Sequence, residues 1–157
     1  MSWLVIFGTM LMMYPIAFFM KKRLSFSEIY TTVVFGLFVS TLVDAFASYY
    51  KAWGFFDVDE VEVRTLWIII GLYPIFAAMI INWYPYKGTR WEKALYLIVW
   101  SAFSTFYEYL NKKVGIVWHI NWKLFYSFML YPLIYYMLIL HVKFYRRIQR
   151  SNGESVK

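Results

Sequence analysis

Two carboxylates interrupt long apolar runs. Asp44 ends the string Ser40-Thr41-Leu42-Val43-Asp44, and Glu108 ends Ser104-Thr105-Phe106-Tyr107-Glu108, 64 residues further on. Both strings read Ser-Thr-x-x-acid. An ionisable group inside such a run is costly, and it marks a functional site or an internal ion pair. Two carboxylates facing one low-dielectric cavity could hold a proton between them and pass it on. On a helix, Ser40, Asp44, Ser48 and Lys51 share one face at spacings of four, four and three. Ser101, Thr105, Glu108 and Lys112 do the same at four, three and four. Lys112 is ideally spaced for an i,i+4 ion pair with Glu108, its long stem reaching toward the interface, and that pair is the first expectation. A polar cavity shared by Asp44 and Glu108 is the sharper alternative.

The elements that position these residues follow from composition. The 157 residues are 62% hydrophobic and 24% aromatic, with only 16% charged. A soluble domain of this length has no interior large enough for that apolar surface, so lipid is the expected solvent. The net charge of +7 belongs to basic residues scattered at the ends of apolar runs. It reads as membrane topology rather than nucleic-acid binding. There is no cysteine, hence no disulfide or thiolate metal site.

The fold class expected is all-α, one polytopic transmembrane bundle over residues 1–150. Five spans are read at about 3–20, 29–50, 65–83, 91–110 and 124–141, followed by a polar disordered tail at 151–157. Lys21-Lys22-Arg23 follows the first apolar run instead of preceding it, which argues for a retained helix over a cleaved signal peptide. Segments 21–28, 84–93 and 143–157 carry 11 Lys and Arg, against 5 in the two alternate loops. That bias places the N-terminus outside and the C-terminus in the cytoplasm. Residues 51–64 read as a solvated acidic loop with a short extended piece. The loop lacks the glycine and ordered oxygen ligands of a calcium site. Arg146, Arg147 and Arg150 are expected to touch anionic cytoplasmic lipid, at about 1 kcal/mol each.

A shift of 64 also aligns Glu28 with Glu92 and Thr41 with Thr105. A parallel duplication of a helical hairpin would produce this pattern. Tyr14-Pro15, Tyr73-Pro74 and Tyr131-Pro132 each fall near the middle of a span, so Pro15, Pro74 and Pro132 are expected to kink their helices. His119, between Trp118 and Trp122, reads as a solvated imidazole in an interfacial aromatic belt, and His141 as another interfacial residue. Asn82 is placed to hydrogen-bond a neighbouring helix. No metal-ligand spacing, phosphate loop or nucleophile elbow is present, so neither an enzyme nor a cofactor is expected.

Several of these elements carry a family likeness. Leu72-Tyr73-Pro74, the turn Tyr84-Pro85-Tyr86-Lys87, Ile98-Val99-Trp100-Ser101 leading to Glu108-Tyr109, and Asn121-Trp122-Lys123-Leu124-Phe125-Tyr126-Ser127 before Tyr131-Pro132 form a set. It resembles a family of small, uncharacterised multi-pass membrane proteins of spore-forming Bacillota, over roughly residues 30–145. In that family an acid closes the fourth span and a Trp-Lys element opens the last, and Asp44 looks like its second-helix acid. The resemblance implies the bacterial plasma membrane and supplies no activity. The expected function is a non-enzymatic structural or accessory subunit, in lipid and packed with other membrane subunits or as a homodimer. The alternative is a small proton-coupled transporter or permease using Asp44 and Glu108. A lipid- or peptide-binding sensor is a third reading.

Overall fold

A computed structural model describes residues 2–56, 63–151 and 153. Five long helices dominate: Ser2–Phe19, Phe26–Tyr49, Val63–Trp83, Arg90–Lys113 and Leu124–Ser151. They are the first to fifth helices below. Four of them are long and apolar enough to cross a membrane. The fourth is not apolar enough by the same measure, because charged residues stand at both its ends and Tyr, Trp, Ser and Thr fill much of its middle. Most of the acidic stretch, at 57–62, and the end of the chain at 154–157 lie outside the described residues.

The third helix is composite. Val63–Leu66 is α-helical, Trp67–Leu72 is a π-helical stretch, and Tyr73–Trp83 is α-helical again. The Tyr73 amide donates to the Ile68 carbonyl, five residues back. Pro74 follows at once. A proline lacks the amide and crowds the turn before it, and the wider π turn takes up that strain. Pro15 and Pro132 lie inside continuous helices. The fifth helix runs to Ser151 instead of ending near His141. Lys143, Arg146, Arg147 and Arg150 therefore ride on a helix and not on a loose tail.

Two short strands add to the helices. Trp53–Phe55 (β1) pairs antiparallel with Val117–His119 (β2), in the register Trp53 opposite His119, Gly54 opposite Trp118 and Phe55 opposite Val117. This accounts for the extended piece expected after the second helix.

The 64-residue echo extends through local structure. Ser25 and Thr89 cap the second and fourth helices, each in a capping box closed by Glu28 or Glu92. Both helices are 24 residues long. Tyr50 and Val114 end them with equivalent bonds, to Phe46 and Leu110. Lys51 and Gly115 then adopt left-handed backbone, at φ 51° and 73°, and each leads into its strand. Gly54 and Trp118, equivalent under the shift, face each other in the strand pair. The two units are thus related by a local two-fold at the ribbon, which joins the segments that follow the second and fourth helices.

The fourth helix packs on the fifth, and the second on the third and fifth. The first helix rests mainly on the third, and the Tyr107 hydroxyl of the fourth helix also donates to its Thr9 hydroxyl at 3.0 Å. Contacts are close where small residues meet. A Cβ on Gly36 would lie 3.0 Å from Leu138 Cδ2 and 3.7 Å from the Ala77 Cβ, where the second, third and fifth helices converge. Leu24, Ala77, Ile81, Leu138 and Val142 form the buried cluster there. Ile6, Met10, Phe56, Ile68, Leu72 and Ile116 form a second cluster, beneath the strands.

Candidate functional site

Each acid is held by its own unit's strand and by the tyrosine of the next helix's Tyr-Pro. Asp44 Oδ1 accepts from the Trp53 indole N–H at 3.2 Å, and Oδ2 accepts from the Tyr73 hydroxyl at 2.9 Å. Glu108 Oε1 lies 2.7 Å from His119 Nε2 and accepts from the Ser127 hydroxyl at 2.7 Å. Its Oε2 accepts from the Tyr131 hydroxyl at 2.6 Å. The Trp122 indole donates to Ser127 Oγ at 2.8 Å and fixes that serine from behind. Trp53 and His119 are register partners in the ribbon, so one rung supplies a donor to each carboxylate.

The two acids line one cavity of about 200 Å³ between the second, third, fourth and fifth helices. Ser40 and Ser104, the serines of the two strings, line it as well. Ser104 Oγ is hydrogen-bonded to the Tyr135 hydroxyl. Among the described residues no Lys or Arg lines the cavity. Asp44 and Glu108 thus line the same space, whose wall is otherwise mostly apolar.

Several expectations need correction. Lys112 is exposed, and it is the His119 imidazole, not an ammonium group, that sits against Glu108. Glu108 is buried one turn inside the helix, whereas Lys112 stands in the last turn and is exposed, so the shared face passes from the bundle interior to the surface between them. His119 is not a solvated belt residue. Its side chain is 2% exposed, because the strand folds back over the helix end, and its Nδ1 is buried without a partner. Thr105 does not line the cavity, and its buried hydroxyl has no partner. Arg146 is not a free lipid contact: its Nε lies 2.5 Å from Glu28 Oε1, and its guanidinium sits 4.8 Å from the Tyr86 ring centroid. Arg147 and Arg150 are exposed.

Other polar residues settle at the opposite end from the ribbon. Asn82, fully buried, accepts from the Arg23 amide at 2.7 Å and donates to the Lys21 carbonyl at 2.9 Å. It fixes the turn between the first two helices to the end of the third. His141 Nδ1 lies 2.9 Å from the Thr32 hydroxyl, and its ring stacks on Phe35 at 4.4 Å. Tyr14, of the remaining Tyr-Pro, reaches the Gly71 carbonyl in the π stretch at 3.4 Å.

His119, Ser127, Trp53 and Trp122 were the members hardest to find, lying in or beside short connections. Two of the three Tyr-Pro pairs supply phenol donors to the acids, a role that a proline kink does not suggest. Among the described residues, no group of three or more His, Asp or Glu is placed to hold a metal ion. No protein family, curated protein or solved structure matches the chain.

Proposed function

We propose that the chain is a five-span integral membrane protein acting as a small proton-coupled permease, with Asp44 as the exchanging acid and Glu108 as its anchored counterpart. The observation that carries this is the cavity itself: two carboxylates line one space inside the bundle with no Lys or Arg in its described wall. Such a space suits a cation or a proton. The fourth helix is counted as a span because it matches the second in length, caps and level. At 24 residues each measures about 36 Å, enough to cross. The charge bias sets the N-terminus outside, and the family likeness favours the bacterial plasma membrane.

Proton flux in liposomes tests this, comparing wild type, Asp44→Asn and Glu108→Gln at matched incorporation. Flux above empty liposomes that is lost in Asp44→Asn is expected. No flux from folded wild type would sink the permease.

One observation favours a second reading, a non-enzymatic accessory subunit. Glu108 already receives three hydrogen bonds and could serve as a structural lock. On that reading neutralising either acid alters partner retention in native membranes and leaves flux at the empty-liposome level throughout.

A further inference from the structure

We propose that the cavity accepts a small organic cation, an ammonium group carried on an aromatic or compact aliphatic body. This rests on the permease reading and names what the permease takes.

The polar chemistry facing the cavity is weighted toward acceptors. Asp44 has one donor on each carboxylate oxygen, and a carboxylate oxygen has room for two, so each keeps a free lone pair. Asn111, 8% exposed, lines the cavity, and its Oδ1 has no partner. The wall phenols direct their protons into the protein: Tyr73 to Asp44 and Tyr131 to Glu108. The Ser40 hydroxyl and the Ser104–Tyr135 pair can each donate or accept, so the groups facing a guest that can only accept are the oxygens of Asp44 and Asn111 Oδ1. A guest must bring the donors, and an ammonium ion brings up to three with its charge.

Charge points the same way. Two carboxylates line the space, and the only described basic side chain touching either is His119, on Glu108. An anion would be repelled. An uncharged apolar guest would leave Asp44 and Asn111 without the donors they lack. The titratable groups around Asp44 are Tyr73 of the third helix, Tyr131 and Tyr135 of the fifth, and Glu108 of the fourth with His119 behind it. None of them but His119 can supply a positive charge.

The apolar wall suits a cation as well. Phe76 packs against Phe103 and Tyr107, with ring centroids 6.1 and 5.8 Å away, and all three rings line the cavity. The faces of such rings attract cations, most strongly where water is excluded. Size limits the body. A cavity of about 150 Å³ holds benzene, so this one, at about 200 Å³, fits one ring or its aliphatic equivalent plus the charged group. The cation and a proton compete for the same carboxylate. Entry of one positive charge releases the other, and the charge in the site is conserved.

Benzylammonium, a cation of this size that keeps its charge and its three N–H donors at neutral and acid pH, is the probe, titrated by calorimetry into the full-length protein in lipid nanodiscs. Saturable binding is expected, weakening at least about tenfold in Asp44→Asn, as loss of one ionic contact predicts. Phe103→Leu weakens it by a smaller factor. In wild type, binding weakens as the pH is lowered, because protons compete for the carboxylate. That arm needs no variant and stands even where Asp44→Asn fails to fold. Benzyl alcohol, the neutral comparator, does not displace the cation. Binding that is indifferent to pH and to Asp44→Asn, or displacement by benzyl alcohol, overturns the proposal. Absence of saturable binding with proton flux retained overturns the cation and leaves the permease. Absence of both overturns both.

Discussion

The corners around Asp44 and Glu108 have the same plan and a different finish. Each acid ends a Ser-Thr-x-x string on a 24-residue helix, takes a donor from the strand that follows, and takes a phenol from the next Tyr-Pro. Asp44 stops there, with two neutral donors and partial exposure. Glu108 adds Ser127, pinned by Trp122, and exchanges the indole for the His119 imidazole. A buried carboxylate with three short donors is a fastening. A half-buried one with a lone pair free on each oxygen has capacity left for a further donor. On the permease reading, one framework thus carries a structural acid and a working acid, and their partners distinguish them.

The comparison breaks most visibly at Glu108. Glu108→Ala strands the donors of His119, Ser127 and Tyr131 in a dry interior, and removing one partner of a buried pair costs about 3–5 kcal/mol. Unfolding of the purified protein in detergent with a graded denaturant reads that loss. The same contrast recurs at the other end of the two units. Glu28 closes its capping box while buried under Arg146, whereas Glu92 closes an equivalent box in the open. Arg146→Ala is expected to cost about 2–3 kcal/mol, less than a fully buried pair because the arginine is partly exposed. Glu92→Gln should leave the unfolding midpoint close to wild type.

Asp44→Asn separates stability from function. The amide keeps an acceptor for one donor, so the loss is about 1 kcal/mol or less, while flux through liposomes falls to background. A loss as large as that of Glu108→Ala would erase the distinction between the corners. The smallest effect concerns the residue after each helix. Gly115 takes left-handed backbone freely, but Lys51 takes it with a side chain. Lys51→Gly is expected to stabilise by about 0.5 kcal/mol, the relief of strain being offset by greater freedom in the unfolded chain. Gly115→Lys should destabilise by a comparable or larger amount in the same assay.

Much of this was legible in the residues. The apolar runs mark the helices, the two acids mark the cavity, and the 64-residue echo foretells two units of one plan. What escaped reading has physical causes. Three-residue strands carry too little periodicity to see, yet β2 brings His119 back onto Glu108 from eleven positions away. The i,i+4 spacing of Glu108 and Lys112 satisfies a rule for exposed helix surfaces, and Glu108 is buried. Arg146 looked like part of a basic tail because the apolar run had ended, but the helix continues and carries it to Glu28. The Ser-Thr-x-x-acid strings mimic capping boxes, while the true boxes open the same helices at Ser25 and Thr89.

The ribbon has one property that bears on ancestry. Its central rung sets Gly54 against Trp118, residues that occupy the same place in the two units. An antiparallel pairing centred on equivalent positions is the contact that two identical chains make across a dyad. A single forerunner unit with that strand would already have carried the surface needed to join a second copy of itself. Fusion of two such genes would then turn a contact between subunits into one within a chain. Only after that step could the two carboxylates diverge, since in a symmetric pair of identical chains any change to one acid is a change to both.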